Sequence, residues 1–294
     1  MDSHARLEAL LEATRNAYQR GDATSLEHYA GRLLEMAQAV PDEMRIAQAN
    51  NYLGTAAVYQ GNGERADAYF DRAIAGYRAL GNNHGIVSVL IGKGVVYGDF
   101  FLDYDESRRL FDEALAIGEA AGEDRLVAFA HANIGELRRT IGDFSAALHA
   151  AQESLRLFEQ LDDEASVASQ FTNIAHYRAL RAEFPLAIAA LHDAHEKLRR
   201  HRRAPEIANY FEIWFFVAIE LSRYEDAARL LGFLETYRDE NTIPRLPSMM
   251  AWFVPRMERL EQRLGYEAMA KFRRAGERLS LEQANAITDS ITAP

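Results

Sequence analysis

Apolar residues recur at intervals of three and four along most of the chain, the spacing of a single helical face. Short polar segments interrupt the pattern: QRGDATS, YQGNGERAD, TIGDFSAA, RAEFPLAI and LSRYEDAA. Each interruption predicts a turn between two amphipathic helices. The chain also repeats itself. NIGELRRTIGDFSAALHAAQESL at 133–155 returns as NIAHYRALRAEFPLAIAALHDAH at 173–195, with an Asn, an Ile, a small residue, an Arg and a Phe in register.

Taking the residue after that Asn-Ile pair as an anchor gives Thr14, Gly54, Gly94, Gly135, Ala175 and Phe215, spaced by 40, 40, 41, 40 and 40 residues. Twelve places beyond the anchor stand Leu26, Ala66, Ala147, Ala187 and Ala227, with Ser107 at thirteen in the third repeat. Four places further on are Ala30, Phe70, Phe111, Ala151, Leu191 and Leu231. Three more lead to Leu33, Ala73, Ala114, Ser154, Ala194 and Leu234. Small residues at the first two offsets let the two helices of a repeat cross closely, and larger side chains there would overpack the crossing by roughly 1–3 kcal/mol. The aromatic or aliphatic residue at the third offset fills the space between neighbouring repeats. Gly21, Gly61 and Gly142 suit helix C-termini, where the backbone turns left-handed. The extra residue of the third repeat is expected in a longer turn near YGDFFLDYDES.

These offsets resemble the tetratricopeptide pattern, stretched from its usual roughly 34 residues. By period alone the competitor is a HEAT-like array, whose repeats run to about 40–47 residues, but the small–small–aromatic–small order favours the tetratricopeptide form. The expected fold is all-α: a right-handed tetratricopeptide-like helical solenoid of six helix pairs over 1–238, with a helical C-terminal cap over 239–294. The cap begins where Pro244 and Pro247 break the pattern, and it reads as two or three shorter helices, with Ser280 as an N-cap. EIWFFVAIELSRY (212–224) is apolar nearly all round and is expected to be buried against that cap.

The ending carries a second resemblance. The AARLLG helix, the later LGYEA turn and the FRRAGERLSLEQA ending look like the close of the helical-repeat region in LuxR/AfsR-like bacterial regulators with a signal-transduction ATPase, and of similar regions on bacterial cyclases. In that family the repeats resemble a sensor or protein-docking arm. No GxxxxGK[ST] loop is present, since the Gly-Lys of VLIGKGVVYG has neither the earlier Gly nor a following Ser or Thr. No helix-turn-helix region stands apart from the repeats. ATP and DNA binding are therefore not expected.

Composition narrows the partners. With 33 Lys and Arg against 44 Asp and Glu, the net charge is −11, a poor match for phosphate backbones, so no direct nucleic-acid contact is expected. Cys is absent, which removes disulfides, thiolate chemistry and Cys-based zinc. No run is apolar for long enough to span a membrane, and the N-terminus lacks the basic and apolar regions of a signal peptide, so the expected location is cytoplasmic. No cofactor is expected. His192, His195 and Glu196 share one helical turn without further ligands nearby, so no metal is expected either. The scattered Ser, His and Asp residues form no catalytic constellation, and an enzyme is the least favoured class.

In a tetratricopeptide array the first helix of each repeat lines a concave groove. Positions three before, two before, one after and four after each anchor share that face. They give Asn51, Tyr52 and Thr55; Ala132, Asn133, Glu136 and Arg139; Thr172, Asn173, His176 and Ala179; and Glu212, Ile213, Phe216 and Ile219. Asn133 and Asn173 match in register, and in peptide-binding tetratricopeptide proteins a similar Asn bonds the ligand backbone. An amide suits that task because it both donates and accepts. The alternative is that these amides bridge neighbouring helices. Arg138, Arg139 and Arg178 could clamp a carboxylate, but pairing with acids on the next repeat is the favoured expectation. The candidate binding residues are therefore Asn51, Thr55, Asn133, Glu136, Arg139, Asn173 and His176. The expected function is a non-catalytic scaffold or regulatory sensor that holds a protein or peptide in the groove. A small-ligand-sensing effector domain of a transcriptional regulator is the alternative, and a homodimer is left open.

Overall fold

The computed structural model describes residues 3–201, 203–245 and 247–292. Among these, fifteen helices and no strands are present: α1 Ser3–Arg20, α2 Ala23–Ala39, α3 Glu43–Tyr59, α4 Gly63–Ala79, α5 Asn83–Asp99, α6 Tyr104–Ala121, α7 Asp124–Thr140, α8 Phe144–Gln160, α9 Glu164–Leu180, α10 Phe184–His201, α11 Ala204–Glu220, α12 Tyr224–Glu240, α13 Pro247–Leu264, α14 Tyr266–Gly276 and α15 Leu281–Asp289. Two 17-residue helices with two three-residue turns account for the 40-residue period. The extra residue of the third repeat lies in the turn between α5 and α6, which runs from Phe100 to Asp103.

Local chemistry sets the helix starts. Asp22, Asp42, Asn62, Asn82, Asp103, Asp143 and Asp163 each accept a hydrogen bond from the backbone N–H three residues on, the N-cap arrangement that satisfies an otherwise orphaned donor. These caps recur about every 20 residues, a period visible in the sequence and as regular as the anchors. At the helix ends Gly21, Gly61, Gly81, Gly122 and Gly142 take positive φ, while Ala182 and Ser222 hold the same kind of position at φ 59° and 61°. A left-handed backbone costs a residue with a Cβ about 1 kcal/mol. Ala182 is exposed, so little else changes on substitution. Ala182→Gly is expected to raise stability by about 0.5–1 kcal/mol in chemical denaturation.

The anchor offsets behave as their steric role requires. Leu26, Ala66, Ser107, Ala147, Ala187 and Ala227 are all buried, as are the six residues at the third offset and the six at the fourth. A Cβ on Gly54 would stand 2.5 Å from the Phe70 ring, and one on Gly92 of the next repeat 2.6 Å from the same ring. Phe70 thus fills the gap between two repeats and leaves no room for a side chain on either side. Gly94 meets Phe111 in the same way, at 2.3 Å.

The chain forms two compact bodies, one ending at Ile141 and the other starting at Gly142. In the first, α1 to α7 pack in sequence order, with first helices also touching across repeats, α1 on α3, α3 on α5 and α5 on α7. In the second, α8 to α12 continue the pairwise order and α9 touches α11. Every residue of α11 from Tyr210 to Ile219 is buried. Pro247 opens α13 rather than ending a helix, a position where its missing N–H has no partner to lose. The first C-terminal helix is as long as a repeat helix, and Pro255 sits inside it. Ser280 caps α15 in a reciprocal capping box with Gln283.

Candidate functional site

In the first body the predicted face carries a row of half-buried polar side chains. Asn51 Nδ2 on α3 donates to Ser88 Oγ on α5 at 3.1 Å, so this amide bridges neighbouring first helices. Thr55 Oγ1 donates to the Asn51 carbonyl at 3.1 Å. On α7, Asn133 Nδ2 donates to the Phe129 carbonyl at 2.8 Å, which commits one donor and turns the amide along its own helix. A narrow cleft between α5 and α7 brings Asn133 and Glu136 together with Val95, Asp99 and Thr140. Arg139 is buried and meets Glu136 at 3.0 Å, three residues back on its own helix. An i, i+3 pair of this kind lies along one helix face.

The charges behind this face are fixed. Lys93 on α5 is buried and lies 2.7 Å from Asp67 on α4, with Asp71 as a second partner. Burial works against the Lys93 charge, but the two carboxylates outweigh it and hold its pKa above the ordinary value. Burial likewise pushes the Tyr77 phenol upward, so it stays protonated next to Asn51. A separate cleft of about 560 Å³ lies at the α5–α6 turn and the end of α7, with Arg108 and Arg138 on its wall. Its apolar rim, Phe101, Leu102 and Ile141, is 40–52% exposed, so the cleft does not enclose a guest.

Of the seven candidate residues, Asn173 and His176 belong to the second body. Asn173 is half-buried on α9. His176 is 5% exposed and lies under the Trp252 ring of α13 at 5.2 Å, edge-on to Phe216 of α11 at 5.5 Å. Trp252 also meets Phe216, and Phe253 packs on Phe215. The guanidinium of Arg256 sits 4.0 Å above the Phe216 ring and that of Arg245 3.9 Å above Phe253, stacked cation–π contacts. His192 and His195 pack on Trp214 and Tyr210. Among the described residues no cluster of three His, Asp or Glu side chains is placed to hold a metal ion.

Glu212, which sequence reasoning put on the groove face, is fully buried. Its carboxylate takes Arg238 Nη1 of α12 at 2.7 Å and Arg245 Nε at 3.3 Å. Burial draws the Arg238 pKa below its ordinary value, and Glu212 opposes that shift. The signal for this pair was present: a single acid inside an otherwise apolar run predicts a buried partner. Nothing in the sequence pointed to Arg238 as that partner.

The arrangement of helix pairs is matched by known proteins. Residues 102–160 match the model of the tetratricopeptide repeat family. No curated protein matches the sequence. The fold is a tetratricopeptide-type helical repeat. Solved structures similar to it include a Rap protein complexed with competence and sporulation factor, at 13% identity over 94% of this chain and 74% of the other, TM-score 0.72. NprR in complex with its cognate peptide NprX is similar at 14% identity, 94% and 76% coverage and TM-score 0.65. So is PH0952 from Pyrococcus horikoshii, a signal transduction ATPase with a tetratricopeptide repeat sensor, at 15% identity, 90% and 46% coverage and TM-score 0.54. At these identities the likeness establishes the repeat architecture. No helix among the described residues is long and apolar enough to cross a membrane.

Proposed function

We propose that this tetratricopeptide-type repeat is a non-catalytic regulatory module that binds a peptide or an extended protein segment. The observation that carries this reading is the polar, half-buried row on the first helices of the first body. Asn51, Thr55, Ser88, Asn133 and Glu136 offer donors and acceptors at repeat spacing on one face, which suits the N–H and C=O groups of an extended chain. A Rap protein is solved with competence and sporulation factor and NprR with its cognate peptide NprX, and their similar folds support the same use here. In this reading the array extends over 1–238 and 239–294 is its cap. Asn173 is the corresponding amide of the second body.

The test uses a random peptide library displayed against the intact chain, followed by amide hydrogen exchange with the enriched peptide. Protection is expected to rise in α3, α5 and α7. Protection confined to second helices, α4 and α6, would reject the assigned face.

A further inference from the structure

The α13 helix covers the very face of α11 that the repeat pattern assigns to a ligand. Its contacts advance along both helices in the same direction. Arg245, just before α13, bonds Glu212; Trp252 meets Phe216 and reaches His176 of α9; Arg256 and Arg259 meet Glu220 at 3.6 and 2.9 Å. A helix that presents an aromatic residue, then arginines four and seven places later, is thus seated between two acids and an aromatic floor. The other side of α13 is open, with Met250, Val254, Glu258 and Glu261 exposed.

Two features make this occupant removable. Glu212 keeps Arg238 of α12 at 2.7 Å when Arg245 leaves, so release of α13 strands no charge there. The helix that follows is held separately. A Cβ on Gly232 of α12 would lie 2.0 Å from the Arg273 carbonyl, and one on Gly276 of α14 2.0 Å from the Arg229 carbonyl, so α12 and α14 touch backbone to backbone. Between α13 and α14 stands the single residue Gly265 at φ 76°. On its other side 241–245 follow α12 outside any helix. Thus α13 is bracketed by two turns, while its neighbours stay fixed.

We infer that the α9–α11 face is a second docking surface, for a basic amphipathic helical peptide with the aromatic-then-arginine spacing of α13, and that α13 is its built-in competitor. This deepens the peptide-binding reading and rests on it. The chain's net charge of −11 favours a basic partner over an acidic one. A tethered helix competes at an effective concentration on the order of millimolar, so an outside peptide gains access mainly when α13 is weakened or out-competed.

The probe is a fluorescent synthetic peptide of residues 249–263, MMAWFVPRMERLEQR, titrated into the full chain. Binding is expected to be at least about tenfold tighter to Trp252→Ala/Arg256→Ala than to the unaltered chain, in line with removal of a millimolar-range competitor. Adding Phe216→Ala should abolish it. Equal binding to both chains, or binding indifferent to Phe216→Ala, would overturn the inference, as would no binding to a folded variant. Should the variant fail to fold, the unaltered chain still decides: α13 amides are expected to exchange at least about 100-fold faster than those of α11 and α12, as in a local opening. Exchange of all three at one rate would make α13 part of the core and overturn the proposal. Either failure concerns the second body alone and leaves the peptide face of α3, α5 and α7 to its own test.

Discussion

Gly232→Ala is expected to lower the stability of the second body by about 3 kcal/mol, the upper range of overpacking losses. An added methyl there meets a backbone carbonyl of α14 at 2.0 Å, and a carbonyl inside a helix cannot turn aside as a side chain does. The helices must separate, which also undoes the reciprocal approach at Gly276. The glycine Cα–H now points at that carbonyl oxygen, a weak Cα–H···O arrangement available only at this distance. Gly31→Ala is the control. Nothing lies within 4 Å of a Cβ at Gly31, so the ordinary preference of a helix for Ala predicts a gain of about 0.5–1 kcal/mol. Guanidinium denaturation followed by tryptophan emission isolates the Gly232 loss, because both tryptophans, Trp214 and Trp252, lie in the second body, and circular dichroism follows the Gly31 gain in the first. A Gly232→Ala midpoint at or above that of the unaltered chain would contradict the backbone contact.

Arg238→Leu is expected to destabilise the same body by about 3–5 kcal/mol, since it removes the closest partner of a fully buried carboxylate. Arg245 remains, but at 3.3 Å and from a segment outside the repeats. Removing the acid as well should be milder than removing Arg238 alone: Glu212→Leu/Arg238→Leu is expected to recover more than half of the loss, because the fully buried carboxylate is gone and Arg245, its other partner, is 18% exposed and has water within reach. Denaturation midpoints of the single and double variants check this. A double variant as unstable as Arg238→Leu would mean that the network contributes packing rather than charge compensation.

The repeat architecture was legible because steric demands recur at fixed offsets. Gly54 and Gly92 leave room for the Phe70 ring between them, so the sizes at this crossing are written into the sequence. The Asp and Asn caps are also local, each serving its own helix, a signal that the sequence reading used only at Ser280. The long turn of the third repeat and the burial of 212–219 also follow from local pattern, while 220–224 are half-buried or exposed at the helix end. Partner choice among charged residues does not. Glu212 reads as a groove position in the sequence, and only the folded backbone brings Arg238 of α12 to it. Likewise, the apolar face of α13 could be recognised from its spacing, but nothing in that spacing says which helices it covers. His176 and Phe216 therefore read as open groove positions, whereas Trp252 lies over both. Two of the motifs that carried the resemblance at the chain's end, AARLLG and the FRRAG ending, hold Gly232 and Gly276, and each of these glycines removes a Cβ from one crossing of α12 and α14.

The polar row of the first body is the proposed peptide-binding face. The most direct measurement is the affinity of a library-selected peptide for the unaltered chain and for Asn51→Ala/Asn133→Ala/Glu136→Ala, with circular dichroism confirming that both remain helical. Losing three hydrogen-bonding side chains predicts at least a tenfold weaker affinity, about 1.4 kcal/mol or more. Equal affinity for the two chains would place recognition elsewhere and contradict the assignment of this face.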